Sequence, residues 1–411
     1  MSSQEEEKII QERKRKASRI YRFYRMLRVF PVKRGKIVFT TFEGDGGFCC
    51  NPRYIAEEIL KRDKGHKNYE LVWLVNHMER QFPEGIRKVK NTFLNRAYHL
   101  TTAQVWVDNS RKAYGTAKRK NQLYIQTWHA ALEFKPVGMF RGSLFPKIAY
   151  LVSRYDSKLA DYVLSNSEWC TKRYPKMLLY DGEILKTGSP RCDIFTTRRE
   201  ELYKKIRSRY GIPADGKIVM FAPTFRGGGQ KGKRQVYAEK PTLDFDRLIE
   251  ALHERFGGSW YVFLRLHPQL AAQMKEIPLE KRAEYMVDVS QADDMNEVLA
   301  AADVFVTDYS SSAFDAANMF MPVFLYMDDL KEYVGERGRL MWDMEKLPFP
   351  EAETNEQLAK AIKDFDEKVY EEEMRIFLEE QGVVEDGRAS ERAVDVIEEF
   401  VKKISKSNQK D

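Results

Sequence analysis

The stretch 304–327, VFVTDYSSSAFDAANMFMPVFLYM, constrains the fold of this chain more than any other. Val304, Phe305 and Val306 form a short apolar run of the kind buried on both faces of a parallel sheet. Asp308-Tyr309-Ser310 breaks that run. Ser312 with Asp315 three residues later fits a capping box and predicts a helix start. A second apolar strand follows over 323–327. The turn therefore sits at the carboxyl end of a strand and the amino end of a helix, where open α/β sheets bind ligands. Backbone N–H groups and the hydroxyls of Ser310, Ser311 and Ser312 suit an anion there. Taken alone, three serines read first as a simple helix cap, and it is the rest of the chain that shifts the balance.

The rest of the chain repeats the pattern. Its 411 residues are enough for two or three domains, and 43% hydrophobic residues can build large cores. Lys and Arg exceed Asp and Glu by only 69 to 62, which does not argue for nucleic acid. Cys49, Cys50, Cys170 and Cys192 show no C-x-x-C spacing, so neither a disulfide framework nor a zinc site is indicated, as suits a reducing cytoplasm. No run reaches the roughly 18 apolar residues of a membrane span. Residues 4–30 read as one helix. Ile20, Phe23, Tyr24 and Leu27 make an apolar stripe, and Arg19, Arg22, Arg25 and Arg28 lie mainly outside it. Such a helix can lie on an anionic bilayer or pack on its own domain.

Strands are predicted at 36–42, 71–75, 104–108, 123–127, 162–164 and 184–187, and a second series at 218–222, 260–266, 286–289, 304–306 and 323–327, with helices between many of them. Gly46 and Gly47 lie in a glycine-rich turn after the first strand, which can cradle a phosphate or let an acceptor near the backbone; the spacing matches no nucleotide motif. Four strand ends carry chemistry. They are His129, Thr224 to Arg226, His267 and Asp308 to Ser312. A histidine near neutral pH can take a proton from a hydroxyl. Arg226 suits an anion, and beyond it a glycine- and lysine-rich loop runs to Lys240. If the loops of two facing sheets converge on a cleft, these groups fit a phosphate or pyrophosphate substrate. No cofactor is indicated. No Asp/His cluster has metal spacing, although Asp308 could hold a divalent cation, orient a histidine or orient the turn.

In order along the chain stand Gln-Thr-Trp-His129 with Lys135 and Gly138, Gly188-Ser-Pro-Arg191, Ala-Pro-Thr-Phe-Arg226, Leu-His267-Pro, and Thr-Asp308-Tyr-Ser-Ser. Over roughly residues 36–400 this set resembles the CDP-glycerol glycerophosphotransferase family of teichoic acid and related surface-polymer synthesis. The resemblance implies an α/β fold of GT-B type, two Rossmann-like doubly wound parallel-sheet domains facing a cleft, and peripheral attachment to the cytoplasmic face of the cell membrane. Many family members follow Trp-His with Gly-Thr-Pro. Here Ala130-Ala131-Leu132 stands instead, which points to a different acceptor.

The expected organisation is a basic amphipathic helix over 1–30, an acceptor-side domain over 31–190, a CDP-alcohol domain over 191–380, and a helix and tail over 381–411 returning to the first domain. The expected reaction moves glycerol phosphate from CDP-glycerol to a hydroxyl of a lipid-linked glycan or polymer and releases CMP. His129 is the general base. His267 is a second catalytic residue and also binds the donor, with Thr224, Arg226, Asp308, Ser310, Ser311, Ser312 and Arg191. Gly46, Gly47 and Lys135 stand on the acceptor side. The alternatives are a GT-B glycosyltransferase using a nucleotide sugar, a CDP-ribitol-dependent enzyme, or a basic adaptor that binds membrane or nucleic acid through residues 13–28.

Overall fold

In the computed structural model, which describes residues 3–224, 227–228, 235–236, 242–266 and 284–407, parallel sheets form around the two alternating series. The chain divides into two units, one of residues 1–131, 136–193 and 383–411, the other of 132–135 and 194–382. His267, Arg226 and most of the stretch 229–240 lie outside the described residues.

The first unit holds seven strands: β1 Lys36–Thr40, β2 Glu70–Val75, β3 Ile86–Lys90, β4 Val105–Asp108, β5 Leu123–Gln126, β6 Tyr162–Ser165 and β7 Glu183–Lys186. All pair in parallel, in the order β3-β2-β1-β4-β5-β6-β7. Strand order reverses between β1 and β4, so a crevice is expected outside their carboxyl ends. β1, β4 and β5 are buried throughout, which is why they read as continuous apolar runs. β3 was not predicted. Its sequence IRKVK is charged because it is an edge strand with one wet face.

The helix Ser3–Met26 belongs to this unit. Ile10, Ala17 and Tyr24 are buried, and Ile20, Phe23 and Leu27 pack against the core that holds Val38, Trp106 and Tyr124. The stripe that the sequence offered to a bilayer is thus covered by the protein itself. The helix Ala389–Ser407 places Ala393, Val394, Ile397 and Val401 in the same core as Ile55 and Ile59 of the helix Cys50–Arg62. Among the described residues, no helix is long and apolar enough to cross a membrane.

The second unit repeats the plan. Its strands are β8 Gly216–Phe221, β9 Gly227–Gly228, β10 Gln235–Val236, β11 Ser259–Leu264, β12 Met286–Asp288, β13 Val304–Thr307, β14 Val323–Tyr326 and β15 Glu351–Ala352. β9 and β10 form a small antiparallel ribbon. The other six make a parallel sheet in the order β12-β11-β8-β13-β14-β15. Here the order reverses between β8 and β13, the strands whose exits lead to Thr224 and to Asp308.

Candidate active site

In the first unit the chain leaves β5 through Thr127 and Trp128 and presents His129 as an exposed residue. Trp128 has φ 53°, a left-handed conformation that a bulky residue adopts only when its surroundings force it. Buried amides do so. The Trp128 N–H donates to Gln126 Oε1 at 2.9 Å, and its carbonyl accepts from Asn51 Nδ2 at 3.1 Å. Gln126 is itself fixed, since its Nε2 donates to the Ser110 carbonyl and to the Tyr124 hydroxyl. The indole also lies under the Arg111 guanidinium, 4.9 Å from ring centre to Cζ.

His129 Nδ1 lies 2.8 Å from the Asn109 carbonyl oxygen. A carbonyl only accepts, so Nδ1 carries the hydrogen and Nε2 holds the lone pair of the neutral ring. That is the tautomer a general base needs. The ring is edged by Phe42, 5.4 Å between centroids, and flanked by Trp128 at 4.4 Å. Phe42 and Glu43 also have positive φ, 46° and 58°. Asn109 Oδ1 accepts from the Phe42 N–H and Ser110 Oγ from the Glu43 N–H, so the loop after β1 and the loop after β4 are tied together beside the base.

The glycines of that first loop serve its own packing. A Cβ on Gly46 would come within 2.6 Å of Phe42, and one on Gly47, where φ is +73°, within 2.5 Å of the Arg80 side chain. Arg191 also lies in this unit, only 3% exposed. Its N–H and its Nη1 donate to Asn51 Oδ1 at 3.0 and 3.4 Å. Lys135 lies in the second unit and is half-buried. The residue before it, Phe134, is fully buried there and stacks on Phe314 at 4.8 Å.

In the second unit the ends of β8 and β13 are joined through one carboxylate. Asp308, 2% exposed, accepts from the Thr224 N–H at 2.9 Å, from Thr224 Oγ1 at 2.9 Å and from the Tyr309 N–H at 2.6 Å. These bonds hold the turn, one of the three roles open for Asp308 from sequence. Tyr309 stacks on Tyr333 with centroids 3.8 Å apart, and its hydroxyl donates to Asp329. Ser310 and Ser311 are half-buried, and Ser312 is buried. The Ser310 and Ser312 hydroxyls lie 2.7 Å apart. The helix Ser312–Ala317 starts where predicted, but not by a Ser312/Asp315 capping box. The residue at the cap is Ser311, the Ser312 N–H donates to Ser310 Oγ, and Asp315 accepts instead from Asn296 of a neighbouring helix. Among the described residues, no group of three or more His, Cys, Asp or Glu is placed to hold a metal ion.

The structure thus groups His129, Gly46, Gly47 and Arg191 in the first unit, and Thr224, Asp308, Ser310, Ser311, Ser312 and Lys135 in the second. Sequence reasoning passed over Asn51 and Asn109. Asn51 precedes a proline at a helix start, and Asn109 follows a buried strand; both look like ordinary turn residues in one dimension.

Comparison with known proteins adds three findings. The family model described as CDP-Glycerol:Poly(glycerophosphate) glycerophosphotransferase matches residues 22–399. The teichoic acid poly(glycerol phosphate) polymerase of Bacillus subtilis is 29% identical over 95% of this chain and 52% of its own length, and the teichoic acid poly(ribitol-phosphate) polymerase of Bacillus spizizenii is 31% identical over 94% of this chain and 60% of its own. This chain therefore spans little more than half the length of these two relatives. A solved structure of the wall teichoic acid polymerase TagF, a histidine variant soaked with CDPG, superposes with a TM-score of 0.79 at 26% identity, covering 98% of this chain and 99% of that one.

Proposed function

The chain belongs to the CDP-glycerol:poly(glycerophosphate) glycerophosphotransferase family, and on that premise we propose that it transfers glycerol phosphate from CDP-glycerol to a hydroxyl of a lipid-linked glycan or polyol-phosphate acceptor, releasing CMP. The acceptor oxygen bonds to the phosphorus that carries glycerol, and the bond from that phosphorus to the oxygen of CMP breaks. The acceptor proton passes to Nε2 of His129. The hydroxyls of Ser310, Ser311 and Ser312, with Thr224, hold the donor diphosphate, and the family motif adds Arg226 and His267 to that task. The observation that supports this reading best is the His129 ring, whose Nδ1–H is committed to a carbonyl at 2.8 Å and whose Nε2 is left as the basic atom.

The test is incubation with CDP-glycerol, CDP-ribitol and nucleotide sugars, scoring the nucleotide released. CMP from CDP-glycerol is expected. CMP from CDP-ribitol alone moves the assignment to ribitol phosphate, the polymer unit in the name of one relative of 31% identity. Release of a nucleoside diphosphate from a sugar donor overturns phosphotransfer.

The acceptor class calls for work at the inner membrane face. Because the stripe of the amino-terminal helix is covered, the membrane contact proposed here uses other residues: Met26, Val29 and Leu94, which are 70%, 81% and 63% exposed. Arg25 and Arg28 flank the first two in sequence. Flotation with anionic vesicles should carry the protein upward, and Val29→Asp should reduce the bound fraction. Equal flotation with neutral vesicles would exclude the basic residues from the contact.

A further inference from the structure

The strained turn that carries His129 is held on one side by a residue to which nothing above gives a role. Asn51 is 2% exposed and sits in the first turn of the helix Cys50–Arg62. Its Nδ2 donates to the carbonyls of Thr127 and Trp128 at 3.2 and 3.1 Å, and its Oδ1 accepts from Arg191, from the backbone N–H and from Nη1. One side chain thus joins the turn after β5 to the Gly188–Arg191 segment, within a single unit.

We propose that Asn51 is a positioning residue for His129. The Trp128 carbonyl belongs to the peptide that leads directly into His129, so the plane of that peptide sets where the Cα–Cβ bond of His129 points. Gln126 holds the N–H of Trp128, and Asn51 shares its carbonyl with the Thr127 hydroxyl, which donates at 3.0 Å; Asn51 is the one of these that also reaches the Gly188–Arg191 segment, and together the bonds keep a tryptophan at φ 53°. The imidazole then reaches the Asn109 carbonyl and shows Nε2 in one direction. Only a primary amide meets both demands on residue 51, which must donate to two carbonyls and accept from an N–H. An aspartate would set its oxygens against carbonyl oxygens, and alanine would leave three buried backbone groups without this partner. The inference also moves Arg191, grouped with the donor by the motif resemblance, to the side of the base, because its backbone and guanidinium both meet Asn51. It rests on the reading of His129 as general base.

The experiment compares wild type, Asn51→Ala, Asn51→Asp and His129→Ala. It measures kcat for CMP release, the Kd for CDP-glycerol, and the ring 15N shifts of His129 by NMR. Both Asn51 variants should lose about 10²-fold in kcat, the scale of a misplaced catalytic group, with Kd unchanged. Their His129 15N shifts should move away from the Nδ1–H form toward the tautomer mixture of a freely turning ring. A kcat within twofold of wild type overturns the proposal. So does a weakened Kd with kcat intact, or a lost rate with unchanged ring shifts. Should Asn51→Ala fail to fold, Asn51→Asp, of nearly equal volume and still able to accept from Arg191, carries the same three readouts. Wild-type turnover by His129→Ala would end the base reading instead, and the ring shifts of the Asn51 variants would still decide whether Asn51 orients the imidazole.

Discussion

The turn after β13 leaves its sheet at the reversal of strand order, and the turn after β5 leaves its own sheet one strand further out. Both present polar groups at the carboxyl ends of buried strands, yet different chemistry holds them. Around His129 the hydrogen bonds described above come from neutral groups, the amides of Gln126 and Asn51 and the carbonyl of Asn109, with the Arg111 guanidinium one ring removed, over Trp128. The nearby carboxylate of Asp108 is engaged by Lys112 and by Ser110. Around Ser310 the restraint is a buried charge, Asp308, which gathers three donors from two strand ends. A base has to gain and lose a proton, and a fixed charge against it would favour one state. Neutral amides orient it without that bias. A turn meant for a diphosphate has no such constraint. A carboxylate whose lone pairs are filled by N–H and O–H donors can serve as its rigid core.

The sharpest way to break this contrast is His129→Ala. If the first turn exists to present a base, kcat should fall about 10²–10⁴-fold, while CDP-glycerol binds as before. Radiolabel transfer and equilibrium binding measure the two halves. Undiminished transfer would leave the neutral frame without a purpose.

Asp308→Asn attacks the other side. The amide keeps the shape but removes the charge and turns an NH₂ toward donors. Loss of charge-assisted bonds from a buried group costs about 1–3 kcal/mol, seen as a lower urea midpoint. Donor affinity should fall about tenfold for each ~1.4 kcal/mol passed to the binding turn. A variant with normal stability and normal Kd would mean that the carboxylate is incidental. Ser312→Ala is milder. It removes one neutral hydroxyl from the 2.7 Å pair with Ser310, about 0.5–1.5 kcal/mol, so CDP-glycerol should bind a few-fold more weakly with kcat unchanged. A fall in kcat alone would place Ser312 outside the donor contact.

How much of this was legible in one dimension follows the same division. Buried central strands announce themselves as apolar runs, so β1, β4, β5, β8, β11 and β13 could be read directly, and with them the strand-end positions of His129 and Asp308. The edge strand β3 could not, because one wet face makes its sequence look like a loop. The stripe on the amino-terminal helix was visible, but periodicity does not say whether protein or lipid covers it. The frame around His129 was the least legible part. Asn51 and Trp128 are 77 positions apart, and Phe42 and Asn109 are 67. Nothing local to either asparagine records the partner that the sheet order brings beside it.

The smallest effect on turnover comes from the carboxylate that lies beneath this frame. Asp156 is 3% exposed and accepts from the Lys112 N–H at 2.8 Å and from the Tyr124 hydroxyl at 3.1 Å; that hydroxyl in turn accepts from Gln126. Burial pushes its carboxyl up to about 6, against the opposing Lys112 N–H bond and the charge of Arg111. The folded chain therefore holds this proton more tightly than the unfolded chain, where the value is 3.8. The linked stability is fully present below about pH 4 and is lost as pH rises to about 6. Asp156→Asn has no such proton to lose, and its amide oxygen can still accept from Tyr124. Its stability relative to wild type should thus climb by about 3 kcal/mol between pH 4 and pH 6, from about 1.4 kcal/mol per pH unit, and stay level above that. Turnover at pH 7.5 should change little. Urea melts across that range measure the climb. A flat difference would mean that burial leaves the Asp156 proton no more tightly held than in the unfolded chain.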